Sequence, residues 1–314
     1  MAHSSDLAAT LRLSQQVPAI IGRQSSWTDV LPLSTPVRES PEEPETIEQL
    51  FFACLQTGDD KSAQLCLDRL AQYFGASNER VTGLQGLYEE ATAEGQADLE
   101  KCLEKYNGIL SENPVNVPII KRRIALLRSM SRLSDAVSAL TELVGAIPTD
   151  AEAWCELADL YQSQGMSSQA IFCLEEVLLI TPNAWNVYAS LGELLYISAS
   201  QETEAARKLL GRSVRLFCRS IELCDDYLRG LYGLALASST LLKHSPSDGS
   251  SRNDATESSE GIPSKEFVER VHSFAKKKLG DLIKARSSES RDMGCFQSEI
   301  IATKELLNRF GESH

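Results

Sequence analysis

Apolar residues in the middle of the chain recur at helical spacing, and the pattern then returns in the same frame further along. Between 151 and 184 they fall at Trp154, Leu157, Ala158 and Tyr161, then at Ala170, Leu174 and Val177. Each set is one stripe of an amphipathic helix, because positions three and four apart share a face. Pro182 ends the second helix, since proline lacks the amide hydrogen and clashes with the preceding turn. Pro114, Pro148 and Pro182 stand 34 residues apart, so the pair of helices is one copy of a repeat.

With Ala151 as position 1, the occupied positions read W-x2-L-[GA]-x2-Y and then A-x3-[FL]-x2-[AV]-x4-P, which resembles the tetratricopeptide signature. Small residues such as Ala158 and Ala170 let the two helices of a unit approach closely. Trp154, Leu157, Tyr161 and Leu174 fill the space between units. The frame extends both ways. Residues 117–150 carry Ile120, Leu127, Ala136, Leu140, Leu143 and Pro148, and 44–77 carry Ile47, Leu50, Phe51, Cys54, Ala63, Leu67 and Leu70. Residues 78–116 hold Val81, Leu84 and Tyr88, then Cys102, Tyr106, Ile109 and Pro114 after about five extra residues near Gly95. Residues 185–227 hold Tyr188, Leu191 and Gly192, then Ser213, Phe217 and Ser220 after extra residues around 199–207. Trp185 falls at position 1 of that unit, and Tyr188 takes the aromatic position 4. A last unit pairs Leu231, Leu234 and Ala235 with Ala275, Leu279 and Leu282.

The expected fold is therefore all-α. It is a right-handed superhelical tetratricopeptide solenoid of about six helical hairpins over 44–290, closed by a C-terminal capping helix within 291–314. That last helix covers about 296–310, with Ile300, Ile301, Leu306, Leu307 and Phe310 on its apolar side. Residues 1–43, rich in Ser and Pro and ending in "RESPEEPE", read as a flexible N-terminal arm. Residues 245–264 hold seven Ser and no core pattern, so they read as a disordered insertion inside the last hairpin.

Composition agrees with this picture. Hydrophobic residues make up 42% of the 314 and aromatics 6%, which suits helices built from Leu and Ala. A net charge of −13 argues against broad nucleic-acid binding, which needs a basic footprint. The eight Cys form no CxxC and most sit at apolar helical positions, as buried free thiols do in a reducing compartment. The N-terminal stretch lacks the unbroken apolar core expected of a signal peptide, and the longest weakly polar run, 230–242, is too short to span a bilayer. The reading is cytosolic.

Catalytic and metal-binding patterns are absent from the sequence. The four His (His3, His244, His272 and His314) have no second ligand at helical or turn spacing, and no HExxH, P-loop or GxSxG occurs. Neither an enzyme nor a cofactor or metal is expected. The informative surface is the inner face of the first helix of each unit, where positions 2, 5, 6, 9, 12 and 13 point into a concave groove. Lys121, Arg122 and Arg128 make its first section basic, and Glu152, Glu156, Asp159 and Gln162 make the next acidic. Asn186, Ser190, Glu193, Tyr196, Arg229 and Tyr232 continue it. Such a groove suits an extended partner segment of mixed charge. The plainer reading is that these charges solvate one face or pair across adjacent helices. A groove that grips a C-terminal carboxylate, as in chaperone-binding tetratricopeptide domains, is not expected, because Glu156 would repel the ligand.

Four stretches resemble subunit 2 of the endoplasmic reticulum membrane protein complex: "AQLCLDRLAQYFGASNERVTGL" (63–84), "ILSENPVNVPIIKRRIALLR" (109–128), "DAEAWCELADLYQSQGMSSQAIFCLEEVLLITPN" (150–183) and "FCRSIELCDDYLRGLYGL" (217–234). The resemblance covers roughly 45–285. It implies a non-catalytic scaffold with no membrane span, held at the cytoplasmic face of the endoplasmic reticulum by other subunits. Such a scaffold cradles their cytosolic tails and loops and supports insertion of tail-anchored and multipass proteins. The alternative is a tetratricopeptide adaptor of another cytosolic assembly.

Overall fold

The computed structural model describes residues 9–18, 44–199, 203–244, 262–289 and 296–311, and every regular element among them is an α-helix. Residues 9–18 form α1. The helices that follow are α2 (Pro44–Thr57), α3 (Asp60–Phe74), α4 (Glu79–Ala91), α5 (Gln96–Glu112), α6 (Val117–Ser129) and α7 (Leu133–Ala146). Then come α8 (Ala151–Ser163), α9 (Ser167–Ile180), α10 (Trp185–Ser198), α11 (Glu204–Leu223), α12 (Leu228–Lys243), α13 (Lys265–Glu289) and α14 (Phe296–Gly311). Among the described residues no helix is long and apolar enough to cross a membrane.

Local chemistry sets the boundaries. The side chains of Asp59, Asn78, Asn116, Asp150 and Thr203 accept hydrogen bonds from amides in the first turns of α3, α4, α6, α8 and α11. Each such cap satisfies an amide that has no partner inside the helix and contributes about 1 kcal/mol. At the other ends, Pro114, Pro148 and Pro182 each stand two residues beyond the last residue of α5, α7 and α9. The extra residues in two units lengthen second helices: α5 has 17 residues and α11 has 20, against 14 in α9.

The chain divides into two compact units, Met1–Ala139 and Leu140–His314. In the first, α2 pairs with α3, α4 lies on α3 and α5, and α6 packs against both α4 and α5. Its core joins Ile47, Leu50, Phe51 and Cys54 of α2 to Ala63, Cys66, Leu67 and Leu70 of α3. Val17 of α1 is fully buried in the same core. Part of the stretch expected to be a flexible arm is thus a packed helix, because Val17 finds an apolar seat beside the first hairpin. The rest of 1–43, and 245–261 of the insertion, lie outside the described residues.

In the second unit α8 pairs with α9, α10 with α11 and α12 with α13, and α14 packs on α13. Successive hairpins meet where α10 touches α9 and α12, and α12 touches α11. Leu157, Ala158, Ala170, Leu174 and Val177 are buried, Trp154 and Tyr161 are half-buried, and Pro182 is exposed. The aromatic at position 4 reaches back to the proline that ended the previous helix. Trp154 Nε1 donates to the Pro148 carbonyl at 2.9 Å, and the Tyr188 hydroxyl donates to that of Pro182 at 3.2 Å. The repeat frame, in which Tyr188 and not Trp185 is the counterpart of Trp154, is thereby written in hydrogen bonds. Two Ser stand in α11 where the signature usually has apolar residues. Ser213 and Ser220 donate to the carbonyls of Gly192 and Trp185 at 2.6 and 2.7 Å, so their burial leaves no hydroxyl unsatisfied.

One bulky residue in the second helix locks each unit. Tyr106 of α5 lies across Gly86 of α4, where an added Cβ would stand 2.3 Å from its hydroxyl. Phe217 of α11 lies between Gly192 of α10 and Gly233 of α12, with an added Cβ at Gly233 only 2.3 Å from its ring. Both aromatics are almost wholly buried. Gly86→Ala and Gly233→Ala should each lower stability by about 1–3 kcal/mol through overpacking. Gly108→Ala, in α5 with open space around it, should raise stability by roughly 0.5–1 kcal/mol; thermal melts of the three variants check the contrast. Trp154→Ala should cost less than the 3–5 kcal/mol of a fully buried tryptophan, about 2 kcal/mol, because the side chain is only partly buried, with an edge contact to Phe172. A melt indistinguishable from wild type would refute this role.

Candidate partner-binding groove

The charges that the sequence places in the groove are largely engaged within the chain. Arg122 donates from Nε to Glu90 at 3.1 Å and from a terminal nitrogen to the second carboxylate oxygen. The Tyr106 hydroxyl donates to the same carboxylate at 2.5 Å. Glu90 therefore ties α4 to α5 and α6, and its side chain is only 11% exposed. Burial first, and then the bond to Glu90, hold the Tyr106 phenol well above its usual pKa, so it stays a donor. In the second unit Arg229 of α12 donates to Glu193 of α10 at 2.5 and 2.9 Å.

These pairs belong to a pattern. Glu48 with Arg80, Glu90 with Arg122, Glu175 with Arg212 and Glu193 with Arg229 each join one hairpin to the next, and in every case the Glu is upstream. Lys121, Arg128, Glu152, Glu156 and Asp159 also have partners within the chain. Of the remaining sequence-predicted groove residues, Gln162 and Asn186 are exposed and Ser190 is half-buried.

The structure brings Glu193, Tyr196, Arg229 and Tyr232 together in the second unit, on a trough along the inner faces of α10 and α12. Its smaller lobe, about 220 Å³, is walled by these four with Ile197 and Phe217. Its larger lobe, about 590 Å³, shares Tyr196, Tyr232 and Leu236 and runs on past Ser239, Thr240 and Lys243. Leu236, Ser239 and Thr240 occupy groove positions 9, 12 and 13 of the unit that already gave Arg229 and Tyr232, so carrying the positional rule through the rest of that unit would have found them. The far wall consists of Ala302, Glu305, Leu306, Arg309 and Phe310 of α14. The sequence marked that helix only as a cap, and nothing in its periodicity shows that it stands off from α12.

Contacts around His272 hold α14 in place. The His272 ring meets Phe310 edge to face at 5.1 Å, and Lys276 Nζ stands 5.6 Å from the centre of the same Phe310 ring. His272 Nδ1 is hydrogen-bonded to the buried Ser238 Oγ at 3.0 Å. Burial, then the nearby Lys276 charge, pushes the His272 pKa below its ordinary value, which keeps the imidazole neutral at neutral pH. The described cysteines are free thiols, and burial pushes Cys66, packed beside Cys54, up to about 12.

The engaged charges carry a consequence for mutagenesis. Arg122 is not a bystander whose charge can be reversed with the fold intact. Arg122→Ala should cost about 1–3 kcal/mol by leaving the sheltered Glu90 without its cation. Arg122→Glu should cost more, and denaturant titration of both variants beside Glu90→Gln measures the effect.

Comparison with known proteins agrees with this architecture. The family described as "EMC2 TPR-like repeat domain" matches residues 74–204. "TPR repeat protein oca3" of Schizosaccharomyces pombe is 36% identical over 199 residues, covering 63% of this chain and 67% of that protein. "ER membrane protein complex subunit 2-A" of Xenopus laevis is 34% identical over 191 residues, so the matched region spans 61% of each chain. The solved C-terminal part of a tetratricopeptide-repeat protein from Cytophaga hutchinsonii shares the fold, with a TM-score of 0.50 over 95% of this chain and 98% of that one at 10% identity. By its repeat frame and these matches, the chain belongs to the tetratricopeptide-repeat family of ER membrane protein complex subunit 2.

Proposed function

We propose that the chain is a non-catalytic scaffold subunit of an ER membrane protein complex. It sits at the cytoplasmic face of the endoplasmic reticulum through its partners and receives their cytosolic tails and loops on the inner faces of its first helices. By holding those segments it supports insertion of tail-anchored and multipass membrane proteins. The carrying observation is the match to relatives named as subunit 2 of that complex. The trough lined by Tyr196 and Tyr232 supports the docking role, because it offers apolar and aromatic surface that the fold does not itself fill. Gln162, Asn186 and Ser190 supply hydrogen-bonding groups on the same helix faces. The paired charges, Arg122, Glu193 and Arg229 among them, hold neighbouring helices together and so position that face.

The test is affinity purification of the tagged full chain from detergent-solubilised membranes, with crosslinking to map contacts. Integral membrane proteins with cytosolic segments should co-purify, and crosslinks should fall on α10 and α12. Tyr196→Ala with Tyr232→Ala should reduce recovery about tenfold while circular dichroism stays unchanged. Recovery of soluble partners alone would instead favour an adaptor of another cytosolic assembly.

A further inference from the structure

The two lobes of the trough differ in size and in charge, and together they describe a ligand. The smaller lobe, about 220 Å³, has room for one bulky side chain. It is too small for a helix, whose diameter with side chains is about 10–12 Å. The larger lobe, about 590 Å³, is centred about five or six residues further along α12, or roughly 8 Å away at 1.5 Å per residue. An extended chain rises about 3.3 Å per residue and returns to the same face at every second one, so side chains two apart lie roughly 7 Å apart. The spacing of the lobes fits that interval.

Charge distinguishes the ends. At the small lobe Glu193 and Arg229 neutralise each other. At the large lobe Lys243 and Arg309 line the wall, and Lys276 stands over the ring of Phe310, which lines it too. Glu305 is the carboxylate on that wall, and it accepts a hydrogen bond from Arg309 at 3.3 Å. The cations outnumber the carboxylate there, within a chain of net charge −13. A segment whose own carboxylates flank the second anchor would be favoured there, and a basic one opposed.

Resting on the groove reading above, we propose that the α10–α12–α14 trough binds an extended acidic segment. This segment seats two bulky apolar side chains, two residues apart, in the two lobes, and places its carboxylates beside Lys243 and Arg309. Helix α14 is then the third wall of a binding site as well as the cap of the solenoid.

Fluorescence anisotropy on the purified full chain tests this with labelled peptides of roughly ten residues, the length that spans both lobes. The first carries Phe, one Gly or Ser, Leu and then two Glu. The second has Lys for each Glu, and a third moves the apolar pair to the seven-residue spacing of a helix face. The Glu peptide should bind about tenfold more tightly than the Lys peptide, and Lys243→Glu with Arg309→Glu should reverse the order. The helix-spaced peptide should bind several-fold more weakly than the first. Equal affinities, a preference for Lys, tighter binding of the helix-spaced peptide, or no binding of any peptide would each overturn the proposal. Membrane subunits still recovered from detergent alongside such a failure would leave the scaffold role standing. Peptide preference as expected with only soluble partners recovered would sink the scaffold role and leave the binding chemistry.

Discussion

Each unit of this chain is held by a bulky side chain placed where its neighbours have none. Phe217 enters the gap that Gly192 and Gly233 leave on α10 and α12, and Tyr106 lies across Gly86 on α4. A hairpin of two helices cannot bury its apolar stripe alone; it needs the next hairpin, and the approach of that hairpin is limited by the bulk between them. Glycine at these places brings backbone and ring together, and the buried core of each unit grows around that contact. The small residues at other inter-helix positions, including Ser213 and Ser220 with their bonds to carbonyls of α10, follow from the same closeness.

The polar chemistry between hairpins is arranged around that stacking. The four Glu-to-Arg pairs named above run in one direction, from the earlier repeat to the later one. Exposed pairs of this kind contribute little apiece, often under about 1 kcal/mol, but like charges placed opposite each other would disfavour the stacking. Glu90 is the strongest case, because it is sheltered, shared by Tyr106 and Arg122, and joins three helices. Charge spent in this way no longer selects a partner. What the second unit still offers is a trough of Tyr196, Tyr232 and Leu236, with cations gathered where α14 closes it. Recognition on this face would therefore rest on apolar anchors first and on charge as a selector.

Much of the fold could be read in advance. The stripes around Trp154 and Ala170, the prolines that end helices, and the helix expected at 296–310 reappear as α8, α9 and α14 with boundaries shifted by a residue or so. Tyr196 and Tyr232 were legible as inward-facing because the repeat assigns a direction to every position. Arg122 and Arg229 were legible as groove residues, but their engagement was not, since their partners lie 32 and 36 residues away on another helix. Val17 was missed for a related reason: Leu11 and Leu13 in the same stretch are exposed, so apolar spacing does not single out the residue that a waiting core buries.

By itself, the sequence determined the helices, their ends and the repeat frame. Those depend on the spacing of apolar residues, on capping side chains and on proline, all of which act within a few residues. The tertiary structure alone decided which charges are spent between hairpins, where a ring meets a glycine, and where α14 stands away from α12 to leave a cavity. These are outcomes of contact between residues distant in the chain, and they are set by how two surfaces fit rather than by the pattern along either one.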